Sequence, residues 1–199
     1  MLNNFKAGNI MFLSIWQTLD GWDRSMFRFF NGTLTNSFLD KIAPVWREQS
    51  TWYPMYIAIL LYIIIKLKKQ SWKWALAFIL SVSVADIISS HILKDWVGRV
   101  RPCSEPLLIG HCRSLLGWCP SSGSFTSSHA ANHFAMGMFM YYTMQRFFGR
   151  FAVIFIVWAA TIAYAQVYVG VHYPFDVLGG AALGIVIGKM MSMGYERIA

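Results

Sequence analysis

The sequence predicts an all-α integral membrane bundle of about five transmembrane helices, preceded by amphipathic interfacial helices. Three observations carry this. Of 199 residues, 56% are hydrophobic and only 13% are charged, whereas ordinary soluble domains carry roughly a quarter. Mean hydropathy is +0.45, with apolar runs approaching the ~20 residues that cross a bilayer as a helix. Nine Trp and nine Tyr, many near the ends of those runs, suit the two interfacial belts, which favour rings with a polar tip. At this length the chain reads as one domain over 1–199, with an interfacial region over 1–50 and a transmembrane core over 52–199.

Residues 1–32 are mixed in character and carry Lys6, Asp20, Asp23, Arg24 and Arg28. Their apolar part, Ile10 to Trp16, is too short to span and lacks a cleavage site, so it does not read as a secretory signal. One or two helices lying in the interface are expected, with Trp16, Trp22, Phe27, Phe29 and Phe30 dipping inward. Asn31-Gly32-Thr33 has the form of a glycosylation sequon and reads as a chance match. The stretch from Thr35 to Gln49 repeats the interfacial character, with Phe38, Leu39 and Ile42 on one side.

Five spans follow. Trp52 to Leu67 closes on Lys66, Lys68 and Lys69, and Trp72 to Leu93 runs directly into Lys94. Ser128 to Phe148 is rich in Ala, Met and Phe, and a short basic turn with Arg146 and Arg150 leads to Phe151–Tyr168. The last span, Pro174 to Met193, opens on a proline suited to a first helical turn. Its Gly179, Gly180, Gly184 and Gly188 give small-residue spacing for close helix contact.

Alternation of these spans puts two polar islands on one membrane face, Lys94–His129 and Ala165–Gly180. The formal charge of +8 does not point to nucleic acid, because the basic residues flank apolar spans instead of lining a soluble face. Anionic lipid headgroups and a phosphorylated ligand fit them better. Short-loop charge at 66–73 and 146–150 weakly favours that opposite side as cytoplasmic. Cys103, Cys112 and Cys119 all lie in the first island. Their spacing does not suit zinc, even with His111. On an oxidising side one disulfide would staple the loop and leave one thiol, and the sequence does not choose the pair.

The islands hold the chemistry. Lys94, Arg99, Arg101 and Arg113 precede a Ser/Thr/Gly cluster and then His129, where an apolar helix begins. Cations together with the free amides of a helix start are what a phosphate needs. In the second island His172 precedes Asp176 by one helical turn. A carboxylate there can accept one ring N–H and leave the other nitrogen as a nucleophile. His133 reads as a packed helix residue. Asp86 and His91 lie inside a span, where an acid is either functional or committed to an interhelical hydrogen bond.

Three blocks, in order, resemble the signature of the type 2 phosphatidic acid phosphatase (PAP2) superfamily. They are Lys94 through Arg101-Pro102, then Thr126-Ser127-Ser128-His129, then Ala165-Gln166 with His172 and Asp176. The resemblance implies that His172 attacks phosphorus and forms a phosphohistidine, with Asp176 beside it and His129 as acid to the leaving oxygen. It implies phosphate binding by Lys94 and Arg101, by Ser127 and Ser128 at the helix start, and by the position of Gln166. Two departures stand out. Ser128 replaces a glycine, and Ala165-Gln166 replaces Ser-Arg, so one expected phosphate cation is missing. Arg99 and Arg113 are the available substitutes in the first island, Arg99 being nearer the motif.

What the resemblance implies for substrate is a phosphorylated lipid held among membrane lipids. Polyprenyl pyrophosphate, phosphatidylglycerol phosphate, phosphatidic acid and the phosphate of lipid A are all open. No cofactor or metal is required by that chemistry. The site is expected on the periplasmic or extracellular side of a bacterial inner membrane. Two alternatives remain: a lipid phosphotransferase, and a non-catalytic lipid-phosphate binder or transporter in which Gln166 marks lost chemistry.

Overall fold

The computed structural model describes residues 2–199, with side chains from Ile15 onward. Among the described residues every regular element is helical. They are α1 (Leu2–Arg28), α2 (Ser37–Trp46), α3 (Tyr53–Leu67), α4 (Ser71–Asp86), α5 (Lys94–Val97), α6 (Ser128–Phe148), α7 (Ile154–Tyr168) and α8 (Pro174–Ile198). Three largely helical stretches, Gln49–Leu108, Ser128–Tyr168 and Pro174–Ile198, are long and apolar enough to cross a membrane. The first two double back through 3-10 turns at Lys68–Gln70 and Gly149–Val153. Each reversal begins at positive φ, 50° at Lys68 and 54° at Gly149, a conformation in which glycine alone is unstrained. The three stretches therefore contain the five expected helices.

α6 is the central post, packed against α4, α7 and α8. It can be central because its inward positions are small: Ala130, Ala131 and Ala135 are buried. α8 meets it with Gly180, Gly184 and Gly188, where a Cβ would strike the backbone oxygens of Ser127, Ala131 and Ala135. Lipid is as apolar as a side chain, so burial alone gives such helices little reason to associate. Close backbone approach and dispersion supply the attraction. Gly179 points elsewhere, toward Phe125. Below the site Trp74, Phe139, Met140, Met144 and Ile162 fill one apolar cluster, and the Trp74 indole donates to Thr143 Oγ1 at 2.9 Å. Outward residues such as Ile57, Leu61, Ile65 and Ile79 are exposed, an arrangement that suits lipid and not water.

The N-terminal helices are docked more firmly than an interfacial reading predicts. Trp16, Trp22 and Phe29 are exposed, but Phe27 is fully buried against the Tyr173 ring. Asp23, also fully buried, accepts the Phe175 amide at 2.9 Å and so ties α1 to the start of α8. Asn31 is buried too, bonded to Arg113 and Tyr168 backbone, which removes it as a glycosylation acceptor. On α2, Ala43 and Leu39 pack on Ala165 and Tyr168 of α7. The Trp46 indole donates to Thr161 of α7 at 2.9 Å, and Tyr168 donates to Asp40 at 2.6 Å.

Candidate active site

The two polar islands close over the same end of the bundle and enclose a cavity of about 360 Å³. Asp86, Ser90 and Lys94 line it at four-residue intervals. The π-helical segment Ile87–Leu93 joins α4 to α5 along that wall, a distortion often found at functional sites. His129, Asn132, His133 and Met136 face it from α6, and Arg101, Trp118, Pro120 and Ser122 roof it from the first island. A disulfide joins Cys103 to Cys119, tying the residue after Arg101-Pro102 to that roof. Cys112 is the free thiol, and burial pushes it up to about 11.

His172 reaches the cavity from the turn before α8. Its Nε2 lies 3.1 Å from Arg101 Nη1. A guanidinium only donates, so Nε2 is the acceptor and the ring proton sits on Nδ1. That nitrogen faces Asp176 Oδ2 at 3.6 Å, slightly beyond hydrogen-bond length. Burial pushes the imidazole down to about 4, outweighing the opposing pull of Asp176. The ring is therefore neutral at ordinary pH, with its Nε2 lone pair turned to Arg101 at the cavity wall. Asp176 is held from three sides. Its Oδ2 accepts the Tyr173 amide at 2.8 Å, its Oδ1 accepts from Arg99 at 2.8 Å, and its carbonyl accepts the Ser127 amide at 3.0 Å.

Arg101 is 5% exposed and fixed by donations to Ser122 O and Oγ and to Val171 O. Lys94 lines the same cavity and has no ion pair or side-chain hydrogen bond among the described residues. Of the α6 residues, Ser128 pairs its hydroxyl with Ser90 at 2.8 Å. By helix geometry the amides of Ser128 and His129 lack an intrahelical acceptor. His129 lines the cavity with neither ring nitrogen bonded among the described residues. Its ring stacks on His133 at 6.3 Å. His133 is a packing residue, as expected: its Nδ1 bonds His129 O at 2.7 Å and its ring meets Trp158. Asp86 accepts from Ser90 and from Asn132 across the helix pair.

Four candidate phosphate ligands are placed differently. Ser127 is buried away from the cavity, its amide spent on Asp176 and its hydroxyl capping Ala130. Arg99 does not line the cavity either. It pairs with Asp176, Asp23 at 2.7 Å and Asp20 at 3.1 Å, and its guanidinium lies over the Tyr173 ring. Three carboxylates surround it, so its charge is already answered within the protein. Arg113 is likewise spent, on Asp40 and Asn31. Gln166 is fully buried and does not line the cavity. Its Oε1 instead accepts from Arg47 Nε at 3.1 Å, and Arg47 does line it.

Arg47 and Asp23 are the residues that the sequence did not single out. Both belong to the segment before the first motif, where no spacing rule links them to positions more than a hundred residues away.

Comparison with known proteins agrees with this geometry. The family model of the PAP2 superfamily matches residues 74–198. A lipid A 4'-phosphatase of Bacteroides thetaiotaomicron is 34% identical over 168 residues, covering 81% of this chain and 72% of that protein. A second lipid A 4'-phosphatase, from Porphyromonas gingivalis, is 28% identical and covers 87% and 72%. Phosphatidylglycerophosphatase B of Bacillus subtilis is 31% identical over a shorter stretch, 63% of this chain and 60% of its own. Among solved structures, the PAP2-type phosphatidylglycerolphosphate phosphatase of Bacillus subtilis superposes with a TM-score of 0.68 at 21% identity, covering 92% and 88%. That likeness speaks to the fold alone. The motif order, the shared cavity and the match over most of the helical core agree: this chain belongs to the PAP2 superfamily.

Proposed function

We propose that the protein is a membrane lipid phosphatase working through a phosphohistidine, with a lipid A-type phosphate monoester as its first candidate substrate. The observation that carries this is the pairing of a neutral, buried His172, its Nε2 at the cavity wall, with the cations Arg101 and Lys94 around the same space, Lys94 having no partner among the described residues. In the first step Nε2 attacks phosphorus, the bond to the lipid oxygen breaks, and His129 gives that oxygen a proton. The ring then carries positive charge, which Asp176 stabilises at a distance short enough to close into a hydrogen bond. In the second step His129 takes a proton from water, the water oxygen attacks phosphorus, and the P–N bond breaks to release phosphate. Lys94 and Arg101 offset the charge on the transferring oxygens throughout.

The lipid A assignment rests on the two relatives covered over most of their length, both lipid A 4'-phosphatases. The Cys103–Cys119 bridge supports an oxidising side, hence a periplasmic site, since cytosolic thiols are kept reduced. The test is a panel of lipid A, phosphatidylglycerol phosphate, phosphatidic acid and undecaprenyl pyrophosphate with the purified protein, reading free phosphate and phosphorylated acceptor separately. Phosphate release fastest from lipid A is the expected result. Acceptor phosphorylation without free phosphate would make the protein a transferase, and neither product from any lipid would remove the phosphatase reading.

A further inference from the structure

We propose that Arg47, at the end of α2, is the third phosphate-binding cation of this site, and that Gln166 is the residue that holds it there. The inference rests on the phosphatase reading and assigns one more residue to the same cavity.

Arg47 is 5% exposed and lines the cavity beside His129, Lys94 and Arg101. Burying a guanidinium is unfavourable unless its charge and donors are matched. Matching here is partial. Nε donates to Gln166 Oε1, Nη1 pairs with Glu48 at 2.6 Å, and Nη2 has no partner among the described residues. Glu48 is itself 53% exposed, so water weakens its hold. The cavity lining holds Arg47, Lys94 and Arg101 against one carboxylate, Asp86, whose Oδ1 is already taken by Ser90 and Asn132. A dianion in that space would complete the charge balance.

The position of Arg47 is built, not incidental. Ala43 packs on α7, the Trp46 indole bonds Thr161, and the Trp52 indole donates to the Trp46 carbonyl at 2.8 Å. These contacts bring the end of α2 against α7 at the level of Gln166. An arginine at 166 would set two guanidiniums at hydrogen-bond distance where a neutral amide now accepts. The neutral residue at 166 and the arginine at 47 are therefore one arrangement: the cation has moved from α7 to α2.

The test is a cycle of Arg47→Gln, Gln166→Arg and the double variant, with Arg47→Lys as a charge-keeping control. KM and kcat with one lipid monoester are read beside competitive inhibition by inorganic phosphate and the phosphate-dependent rise in Tm. Arg47→Gln should raise KM and the inhibition constant together, roughly ten- to a hundred-fold, the range for loss of a charged hydrogen bond. Gln166→Arg alone should also weaken phosphate binding, because like charges meet, and the double variant should recover most of what each single loses. Unchanged phosphate binding in Arg47→Gln at an unshifted Tm would overturn the proposal. So would tighter phosphate binding in Gln166→Arg with Arg47 in place, which remains decisive even if Arg47→Gln does not fold. A wild type that releases no phosphate from any lipid would strike the phosphatase reading instead. The Tm shift with inorganic phosphate would still judge Arg47 in that case.

Discussion

Two charged regions meet at His172, and they are built on opposite principles. Behind it lies a carboxylate-rich lattice in which Asp20, Asp23, Glu105 and Asp176 surround Arg24 and Arg99. In front lies the cavity, with Arg47, Lys94 and Arg101 facing a single acid. Charges in the lattice are answered within the protein, so they fix geometry. Charges in the cavity exceed the acid that faces them, the imbalance on which the proposed phosphate binding rests. The residue type is the same on both sides, and what separates a strut from a ligand is whether its partner is already present.

The largest effect should come from the residue at the boundary. His172→Ala removes the one imidazole that, among the described residues, has the lattice at Nδ1 and the cavity wall at Nε2. Turnover should fall by at least about a thousandfold, since loss of a nucleophile commonly costs several orders of magnitude, with Tm little changed. Single-turnover phosphate release from lipid A measures it. Retention of even a tenth of wild-type rate would mean that another group attacks phosphorus and that the two regions do not meet at the chemistry.

Next comes His129, which belongs wholly to the cavity. His129→Ala should lower kcat by about a hundredfold or more on a monoester, the ordinary scale of general acid catalysis. On a lipid pyrophosphate, whose leaving group is already stable as an anion, the loss should be clearly smaller. Comparing the two substrates checks this, and equal losses would assign His129 to binding instead of proton transfer.

Arg99 then tests the lattice. Arg99→Ala should lower kcat several-fold to tenfold by letting Asp176 drift, with KM nearly constant, because Arg99 does not line the cavity that His129 and His172 share. Arg99→Lys should restore part of the rate. A KM effect without a kcat effect would place Arg99 on the phosphate and erase the distinction between the two regions.

The legible parts of this molecule share a feature: their information is local. His172 and Asp176 are one turn apart, and the Lys94-to-Arg101 block is a single short stretch. Small-residue spacing in α8 could be read because Gly180, Gly184 and Gly188 obey one helical period. The illegible parts depend on distant contacts. Gln166 and Arg47 are separated by 119 positions, so the sequence displayed an absent cation and gave no sign of where its replacement stood. Arg99 looked free because its partners Asp20 and Asp23 lie in a segment whose amphipathic pattern suggested an interface and not a buttress. Ser127 was misplaced by a single amide. As N-cap it seemed ready for phosphate, but the carbonyl of Asp176 had taken its N–H, a contact that only the packing of α8 on α6 creates.

The smallest effect concerns the roof of the cavity, where the comparison can be sharpened within one residue type. Cys103 and Cys119 are bonded to each other across 16 positions, and Cys119 sits between Trp118 and Pro120, both lining the cavity. Three residues further on, Ser122 holds Arg101 through two acceptors. Opening the bridge therefore loosens the roof and, through Ser122, Arg101 and its hydrogen bond to His172 Nε2, while the lattice behind His172 keeps its ion pairs. Cys112 lies in the same island but takes no part in this. It is half-buried beside the Gly170 carbonyl, and its raised pKa keeps it a thiol at neutral pH, with little thiolate to react. Cys103→Ser should raise KM by a few-fold and leave kcat near wild type, and treatment of the wild type with a reductant should do the same. Cys112→Ser should change neither constant. The measurement is steady-state kinetics on all three proteins with one lipid substrate. A kcat loss in Cys103→Ser as large as that in Arg99→Ala would show that the roof, too, positions the nucleophile, and the division between cavity and lattice would have to be redrawn at Arg101.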